Sequence, residues 1–182
     1  MATRARERLL ATADELFYAE GVRAVGVERL LEVSGVGRAS FYRHFPSKEE
    51  LVLAVLRGRD ERSRAWLEQA VAARGGTPLA IFDALAERFT SPEFSGCAFI
   101  NAMIEDPDLD GPVCRLVIEH KRAVTEYIAG LLTAAGHPDP EQLAQQFLML
   151  MDGAHVTALR TRSAAPALQA KAIAEMLLAG RA

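Results

Sequence analysis

Apolar residues along this chain recur every three or four positions, roughly the spacing that places them on one side of an α-helix. The first such stripe runs from about Thr3 to Glu20, and Gly21 after it is a suitable helix end. A shorter stripe covers about Val27–Ser34, after which Gly35 turns the chain into another short helix. Three helices with a glycine turn between the second and the third are the order of a helix-turn-helix unit.

The clearest helix start in the chain lies at Ser47. Ser47 and Glu50 have the spacing of a capping box, in which each side chain satisfies the backbone N–H of the other residue. The apolar pattern that follows predicts a long helix to about Arg74, where Gly75 and Gly76 end it. This fourth helix begins beside the three-helix unit and ends in the rest of the chain, so we expect it to connect the two parts.

The remaining pattern predicts helices only. Asp139 and Gln142 resemble a second capping box, with Pro140 at the first helical position. No strand pattern or internal repeat is present, so the sequence predicts an all-α fold of about nine helices. We expect a helix-turn-helix domain over residues 1–46 and a second helical domain over residues 47–182. The five further helices are predicted over about residues 79–90, 97–105, 112–135, 139–162 and 166–180.

Composition restricts the kind of partner that the protein can have. Half of the residues are apolar, but no run approaches the roughly 18 consecutive apolar residues of a membrane span. The N-terminal stretch is amphipathic and does not resemble a secretory signal, so we expect a cytoplasmic protein without a membrane partner. A net charge of −3 disfavours nucleic-acid binding by bulk charge, and residues 1–57 carry nine Lys/Arg against eight Asp/Glu. Cations that bind nucleic acid must therefore be clustered locally.

The segment after the glycine turn combines an apolar side with a polar one. Phe41 and Phe45, four positions apart, are expected to pack against the other helices. Ser40, Arg43 and His44 can share the outward side of the same short helix. This division fits the second helix of a helix-turn-helix, whose N-terminal residues meet base edges in the DNA major groove.

Four short motifs stand in or beside this region: Leu16-Phe17 with Gly21, the turn Gly35-Val36, Tyr42-x-His44-Phe45, and Lys48-Glu49-x-Leu51. Together they resemble the first domain of the TetR family of bacterial transcriptional repressors. The family's second domain binds ligands and forms the dimer, and the remaining helices of this chain fit it. Gly96-Cys97 followed by Asn101 and Glu105 looks like a recurrent variant of that domain.

The resemblance implies a role for each polar residue near the turn. Tyr42 and Lys48 stand where the family contacts backbone phosphate, and His44 stands where phosphate or base contact is usual. Arg38 and Ser40 stand where side chains face bases, and an arginine bound to guanine through two hydrogen bonds contributes about 1–3 kcal/mol of discrimination. The residues expected to bind double-stranded DNA are Arg38, Ser40, Tyr42, Arg43, His44 and Lys48.

Three glycine or alanine residues depart from the family pattern. Gly26 stands where the family usually has a capping threonine, although glycine is a tolerated N-cap. Gly37 replaces a usual serine, and Ala39 replaces a usual glycine. These departures leave backbone N–H groups to make contacts, and we expect them to alter the preferred operator.

The second part of the chain contains candidates for an effector site. His120 and His155 lie near apolar stripes, where a histidine is either a hydrogen-bonded core residue or a polar group in a cavity. Asn101 and Glu105, four positions apart, either present polar atoms to the same cavity or have a solvated or helix-capping role. The candidate ligand-binding residues are Trp66, Phe82, Phe99, Asn101, Met103, His120, Tyr127, Met151 and His155, which would suit a largely apolar small molecule.

These features together predict a DNA-binding transcriptional regulator. We expect a homodimer formed by the last two helices, and release from a pseudo-palindromic operator when a small-molecule effector binds. One alternative is a redox-sensing regulator that uses Cys97 and Cys114, and another is a helical small-molecule-binding protein without a DNA function. No motif defines a catalytic site, a metal site or a cofactor, so we do not expect an enzyme.

Overall fold

A computed structural model of the chain describes residues 2–180. Within this range the regular secondary structure consists of nine helices, which confirms the predicted all-α fold. The helices are α1 (Ala2–Glu20), α2 (Val27–Ser34), α3 (Arg38–His44), α4 (Lys48–Ala72), α5 (Ala80–Phe89), α6 (Ala98–Glu105), α7 (Pro112–Ala134), α8 (Pro140–Thr161) and α9 (Ala165–Ala179).

One of the two predicted capping boxes is a genuine helix start. The Glu50 N–H donates to the Ser47 hydroxyl at 3.1 Å, which satisfies a backbone group in the first turn of α4. Asp139 does not cap α8, because its backbone lies in the left-handed region (φ 54°, ψ 50°) and its side chain makes no capping hydrogen bond. A side chain caps from an extended backbone, which the spacing of residue types does not reveal. Pro140 is the first residue of α8, as predicted.

The helices pack into two compact units. Unit 1 contains the chain up to Glu61 together with Ala98–Val117, and unit 2 contains Arg62–Cys97 and the chain from Ile118 onward. The first part of α4 and all of α6 therefore pack with the helix-turn-helix. The proposed functional division at residue 46 stays a prediction, since the packing boundary falls within the continuous helix α4.

The core of unit 1 holds the first three helices together. Leu9 and Ala13 of α1, Leu30 of α2, Phe41 of α3 and Leu51 of α4 are fully buried. Each large apolar side chain that is removed from water contributes roughly 1.5–3 kcal/mol to the hydrophobic term. This packing fixes both α2 and α3 against α1 and leaves the opposite side of α3 on the surface.

The core of unit 2 is formed mainly by α5, α8 and α9. Phe82 and Phe147 are fully buried, and their ring centroids lie 5.4 Å apart. The Lys171 ammonium of α9 binds both carboxylate oxygens of Asp83 in α5 at 2.8 Å. The apolar stripe predicted for α8 is directed into this core, and its buried members are Leu143, Phe147, Met151 and Ala154.

No helix in the described part of the chain is both long enough and apolar enough to span a lipid bilayer.

Candidate nucleic-acid interface

The turn between α2 and α3 depends on a glycine and a buried serine. Gly35 ends α2 with φ 62° and ψ 24°, a left-handed conformation that costs a residue with a Cβ about 1–2 kcal/mol. The Val36 N–H then donates to the Ser34 hydroxyl at 3.3 Å, and both side chains are buried. The glycine was expected, whereas the role of Ser34 was not. A serine one position before a turn glycine is the signal that could have indicated it.

Two phenylalanines anchor α3, as predicted. Phe41 is fully buried and Phe45 is 3% exposed, and their ring centroids lie 6.3 Å apart. The Phe45 N–H donates to the Phe41 carbonyl, which closes the last turn of the helix. The Arg6 guanidinium of α1 lies 5.5 Å from the centroid of the Phe45 ring. The end of α3 is therefore held by both apolar packing and a cation–π contact.

The opposite side of α3 is open to solvent. Arg38 and Arg43 are exposed, and Tyr42 is 46% exposed with its ring edge-on to Phe41 at 5.1 Å. Ser40, between them in the sequence, is half-buried. Cationic and phenolic donors on one outward side of a short helix are suited to phosphate oxygens and base edges.

His44 is less exposed than the sequence suggested. The residue is half-buried, and its Nε2 atom is buried with no hydrogen-bond partner among the described residues. Of Ser40, Arg43 and His44, only Arg43 lies fully on the surface. The DNA contact expected of His44 stays a prediction.

Lys48 begins α4 directly after α3. Burial lowers the pKa of Lys48, and the nearby carboxylate of Glu105 raises it. Glu105, at the end of α6, also accepts a hydrogen bond from the Arg23 N–H at 2.7 Å. The Glu105 side chain therefore lies on the turn between α1 and α2 within unit 1.

The predicted base-reading residue Arg38 has an acidic neighbour that the sequence did not single out. The Arg38 guanidinium donates through Nη2 to the Glu28 carboxylate in the first turn of α2. Arg38 is 57% exposed and Glu28 is 74% exposed. Two oppositely charged side chains thus meet on the outer surface of the helix-turn-helix.

The candidate ligand residues fall in both units. Phe99 is buried in unit 1, and Met103 of the same unit is 36% exposed. Asn101 lines a cleft between α1, α4 and α6, whose other walls include Tyr18 and Arg59. The cleft encloses about 20 Å³, which is room for roughly one or two water molecules and too little for an organic ligand.

The candidates of unit 2 lie in or against its core. Phe82, Met151 and His120 are buried. Trp66 packs partly buried on the core, and the Arg88 guanidinium lies 4.3 Å from its ring centroid. Tyr127 is likewise partly buried, and burial together with Glu68 raises the pKa of its hydroxyl.

His155 has the environment of a packed, neutral histidine. Its ring is half-buried, with centroid distances of 5.0 Å to Phe89 and 6.2 Å to Phe94. The Nδ1 atom lies 2.8 Å from the Met151 carbonyl oxygen and donates to it in the tautomer that forms a hydrogen bond. Burial lowers the pKa of His155 to about 4, so the ring is uncharged at neutral pH.

The two cysteines are free thiols. Cys97 is half-buried and Cys114 is buried. Burial and the carboxylates of Asp106, Asp108 and Asp110 raise the pKa of Cys114, which reduces its thiolate fraction. No group of His, Cys, Asp and Glu side chains in the described part of the chain is arranged to hold a metal ion.

The geometry of unit 1 defines a helix-turn-helix DNA-binding protein. A glycine turn joins two short helices, the second helix is anchored by aromatic packing, and its outer side carries cations. Comparison with known families agrees with this class. Residues 9–55 match the model of the bacterial regulatory proteins of the tetR family, and residues 104–180 match a tetracyclin repressor-like C-terminal domain.

Known relatives resemble the chain over almost its full length. SCO4454, a TetR-family transcriptional regulator from Streptomyces coelicolor, is 33% identical with a TM-score of 0.86, over 98% of this chain and 96% of that one. The HTH-type transcriptional regulator YjdC of Escherichia coli is 28% identical over 95% of this chain and 93% of its own. NemR of E. coli, solved in its reduced form, is 27% identical with a TM-score of 0.81, over 93% of this chain and 94% of its own.

The chain therefore belongs to the TetR family, and it is a DNA-binding transcriptional regulator. The relatives are regulators and not enzymes, in agreement with the sequence-based expectation.

Proposed function

We propose that the protein is a homodimeric repressor that binds a pseudo-palindromic operator and leaves it when a small molecule binds unit 2. The outward side of α3 carries this proposal. Arg38, Tyr42 and Arg43 are exposed on a helix whose other side is fixed by Phe41 and Phe45. The second helix of a helix-turn-helix lies in the DNA major groove, and a fixed helix with exposed hydrogen-bond donors can contact base edges there.

The repressor role is supported by one relative. NemR of E. coli, 27% identical over 96% of this chain, is a transcriptional repressor by name. Binding over a promoter blocks transcription without requiring any contact with the polymerase. Repression is thus the simplest action for a protein whose candidate functional surface is the outward side of α3.

A second apolar surface supports the homodimer. Helix α9 is apolar on both sides: Ala167, Ala170 and Ala174 face the core, while Leu168 and Met176 face outward. Large apolar side chains that are exposed opposite the buried side of a helix mark a candidate contact surface for a partner. The large exposed apolar residues of the two last helices are Met149, Val156, Leu159, Leu168, Ile173 and Met176. We assign the dimer contact to this outer row, not to the stripe in the core.

Two-fold symmetry then defines the operator. A dimer of α8 and α9 would present two copies of α3, and successive major grooves on one side of DNA lie about 34–36 Å apart. The operator is therefore expected to be a pseudo-palindrome whose half-sites have this spacing.

We place the effector in unit 2, where the candidates Trp66 and Tyr127 pack against the core and His120 is buried. Helix α4 runs from unit 1 into unit 2 and is the continuous element that a ligand could displace. Coupling of the two sites is reciprocal and has a typical size of about 1–3 kcal/mol.

Selection of DNA from a random duplex pool tests the DNA half of the proposal. We expect the purified protein to enrich a symmetric sequence with two half-sites. The enriched duplex, placed over a promoter in a cell-free transcription reaction, should lower transcript yield when the protein is added. Enrichment of a single, non-symmetric site would contradict the pseudo-palindromic operator, and a raised transcript yield would favour an activator.

A compound library tests the effector half. A compound that raises the Tm of the free protein should also release the operator duplex, since a ligand that binds one state better shifts the population toward it. Stabilisation without release by every binding compound would contradict induction by an effector.

A redox-sensing regulator is the second candidate, because the relative NemR has a structure described as its reduced form. The raised pKa of Cys114 disfavours it as the reacting thiolate, which leaves the half-buried Cys97. Peroxide treatment should then release the operator duplex in the wild type and in Cys114→Ser, but not in Cys97→Ser. Equal retention of DNA by all three treated proteins would exclude this candidate.

A further inference from the structure

The two helices of the helix-turn-helix are joined on their outer side by one ion pair. Glu28 is the second residue of α2 and Arg38 is the first residue of α3, and the Glu28 carboxylate accepts a hydrogen bond from Arg38 Nη2. Both side chains project from the ends of their helices that follow the capping residues Gly26 and Gly37. The carboxylate is therefore placed beside the residue that is proposed to read a base.

Stability does not account for this pair. Arg38 and Glu28 are 57% and 74% exposed, and an ion pair at such exposure contributes little because water and salt screen it. An acid in the first turn of α2 is favourable by itself, whether or not it has a partner. Arg38 gains no such advantage in the first turn of α3, where a cation is disfavoured. The main effects of the ion pair are therefore on the position and the charge of the Arg38 guanidinium.

The geometry of a guanidinium allows Arg38 to keep this partner while it binds DNA. Arginine has five N–H donors in a rigid plane, and binding of guanine O6 and N7 uses two of them. The Glu28 contact engages Nη2, which carries a second hydrogen, and leaves Nη1 available. A carboxylate on one edge thus orients the plane and leaves another edge for a base.

Charge acts in the same direction. An unpaired arginine at the rim of a DNA-binding surface can bind any phosphate, which adds affinity without sequence information. A carboxylate at the same place repels phosphates and reduces the charge available to them. Glu28 therefore weakens a contact of Arg38 with a phosphate more than a contact of Arg38 with a base.

We propose that Glu28 is a positioning residue that holds Arg38 for a guanine and away from the phosphate backbone. This inference rests on the proposed function, because it requires that Arg38 reads a base. It adds to the predicted DNA-binding residues an acidic one that favours operator binding and opposes non-specific binding to phosphates.

The chain contains a matched control on the same helix. Glu32 of α2 is also exposed and pairs with Arg29 at 3.3 Å, but that partner lies within α2 and not on α3. Replacement of either glutamate by glutamine removes one negative charge and nearly preserves size. Only the change at Glu28 removes a carboxylate from Arg38.

The experiment compares the full-length wild type with Glu28→Gln, Glu32→Gln and Arg38→Ala. Each protein is titrated with the selected operator, with operators that carry every single base change, and with a scrambled duplex, over a range of salt concentrations. In Glu28→Gln, operator affinity should fall, scrambled-duplex affinity should rise, and their ratio should decrease about tenfold. The loss of discrimination should be confined to the base pair that Arg38→Ala affects.

The salt dependence gives a second readout that a structural role would not change. If the released Arg38 binds a phosphate in Glu28→Gln, the slope of log K against log salt for the scrambled duplex should steepen by about 0.9. Glu32→Gln should keep the wild-type affinities for the operators with single base changes and the wild-type ratio of operator to scrambled-duplex affinity. Any change in its salt slope should be smaller than that of Glu28→Gln.

Each failure has a different meaning. A Glu28→Gln profile equal to that of Glu32→Gln, with or without a change in Tm, would overturn the positioning role alone. An Arg38→Ala protein with the wild-type base profile would overturn it as well, while leaving DNA binding intact. Absence of any selected operator for the wild type would overturn the proposed function itself.

Discussion

Lys48 is a side chain that is partly buried in the fold and is also proposed to contact DNA. Its stem is half-buried at the start of α4, and burial lowers the pKa of its ammonium while Glu105 raises it. The position directly after α3 suits a contact with the DNA backbone and not with a base edge. Such a contact carries charge but no sequence information.

We predict that Lys48→Ala weakens binding to the operator and to a scrambled duplex by a similar factor. Loss of one phosphate contact should flatten the slope of log K against log salt by about 0.9. Fluorescence anisotropy over a salt series measures both quantities. Arg122→Ala is the control, since Arg122 is an exposed cation of unit 2 that pairs with Glu126. An unchanged slope in Lys48→Ala would contradict the phosphate contact.

His155 makes the stability of unit 2 depend on pH. The folded protein holds the ring neutral with a pKa of about 4, whereas the unfolded chain takes up a proton near pH 6.5. The unfolded state therefore binds more protons in this window, and the free energy of unfolding decreases as the pH falls from 6.5 toward 4. Above pH 7 the residue has no effect on the pH dependence.

We predict a loss of roughly 3 kcal/mol from His155 over that window. Burial is the main cause, and the nearby cations Lys121 and Arg88 act in the same direction while Asp152 and the Met151 carbonyl oppose them. Urea unfolding at pH 7.5 and pH 5, at a fixed protein concentration, should show about 2 kcal/mol of this loss, because pH 5 lies only part of the way from 6.5 to 4. His155→Gln should be less stable at both values but should show a smaller difference between them. An equal difference in both proteins would show that other groups cause the pH dependence.

At the scale of elements, the orientation of α3 depends on the conformation of its turn. Gly35 has φ 62°, and the Ser34 hydroxyl holds the following Val36 N–H. No atom would obstruct a Cβ at Gly35, so the cost of a side chain there comes from the backbone conformation alone. The same reasoning gives the opposite sign for Gly130, an exposed glycine within α7 with open space around it.

We predict that Gly35→Ala lowers the free energy of unfolding by about 1–2 kcal/mol. Gly130→Ala should raise it by roughly 0.5–1 kcal/mol, because alanine loses less conformational entropy in a helix. Urea denaturation of the two variants, followed by circular dichroism, gives both values. A stabilised Gly35→Ala would mean that the turn does not hold the left-handed conformation.

At the scale of the whole molecule, the question is which surface is covered by a second copy. Val156 and Met176 are 56% and 66% exposed on α8 and α9, while the inward sides of these helices form the core of unit 2. A charge placed on the outer row would remain solvated in a monomer and would be buried in a dimer. Dimerisation should therefore respond to such a change much more than folding does.

We predict that Val156→Glu combined with Met176→Glu converts the protein to a monomer with the same helical circular dichroism. Sedimentation velocity should show half the wild-type mass, and the operator should be bound more weakly because only one half-site is engaged at a time. Leu109→Glu is the control, as Leu109 is 73% exposed in unit 1 and outside both helices. A doubly substituted protein that remains dimeric would place the contact on another surface.

The amino-acid sequence by itself determined the helices, including the short helix α3 that follows the Gly35 turn. Apolar spacing, the Ser47 cap and the glycine positions are local signals, and helix formation depends on interactions between residues close in sequence. For the same reason the roles of Phe41 and Phe45 as packing residues were predicted correctly. The family motifs around Tyr42 and Lys48 indicated the class of function before any packing was known.

Only the tertiary structure decided which partner each surface has. It placed α6 and the Glu105 carboxylate with unit 1, directed Phe147 of α8 into the core, and left Val156 outside. It also paired Glu28 with Arg38 across the turn. These contacts join residues that are distant in sequence or lie on different helices, and local periodicity contains no information about which apolar or charged side meets which.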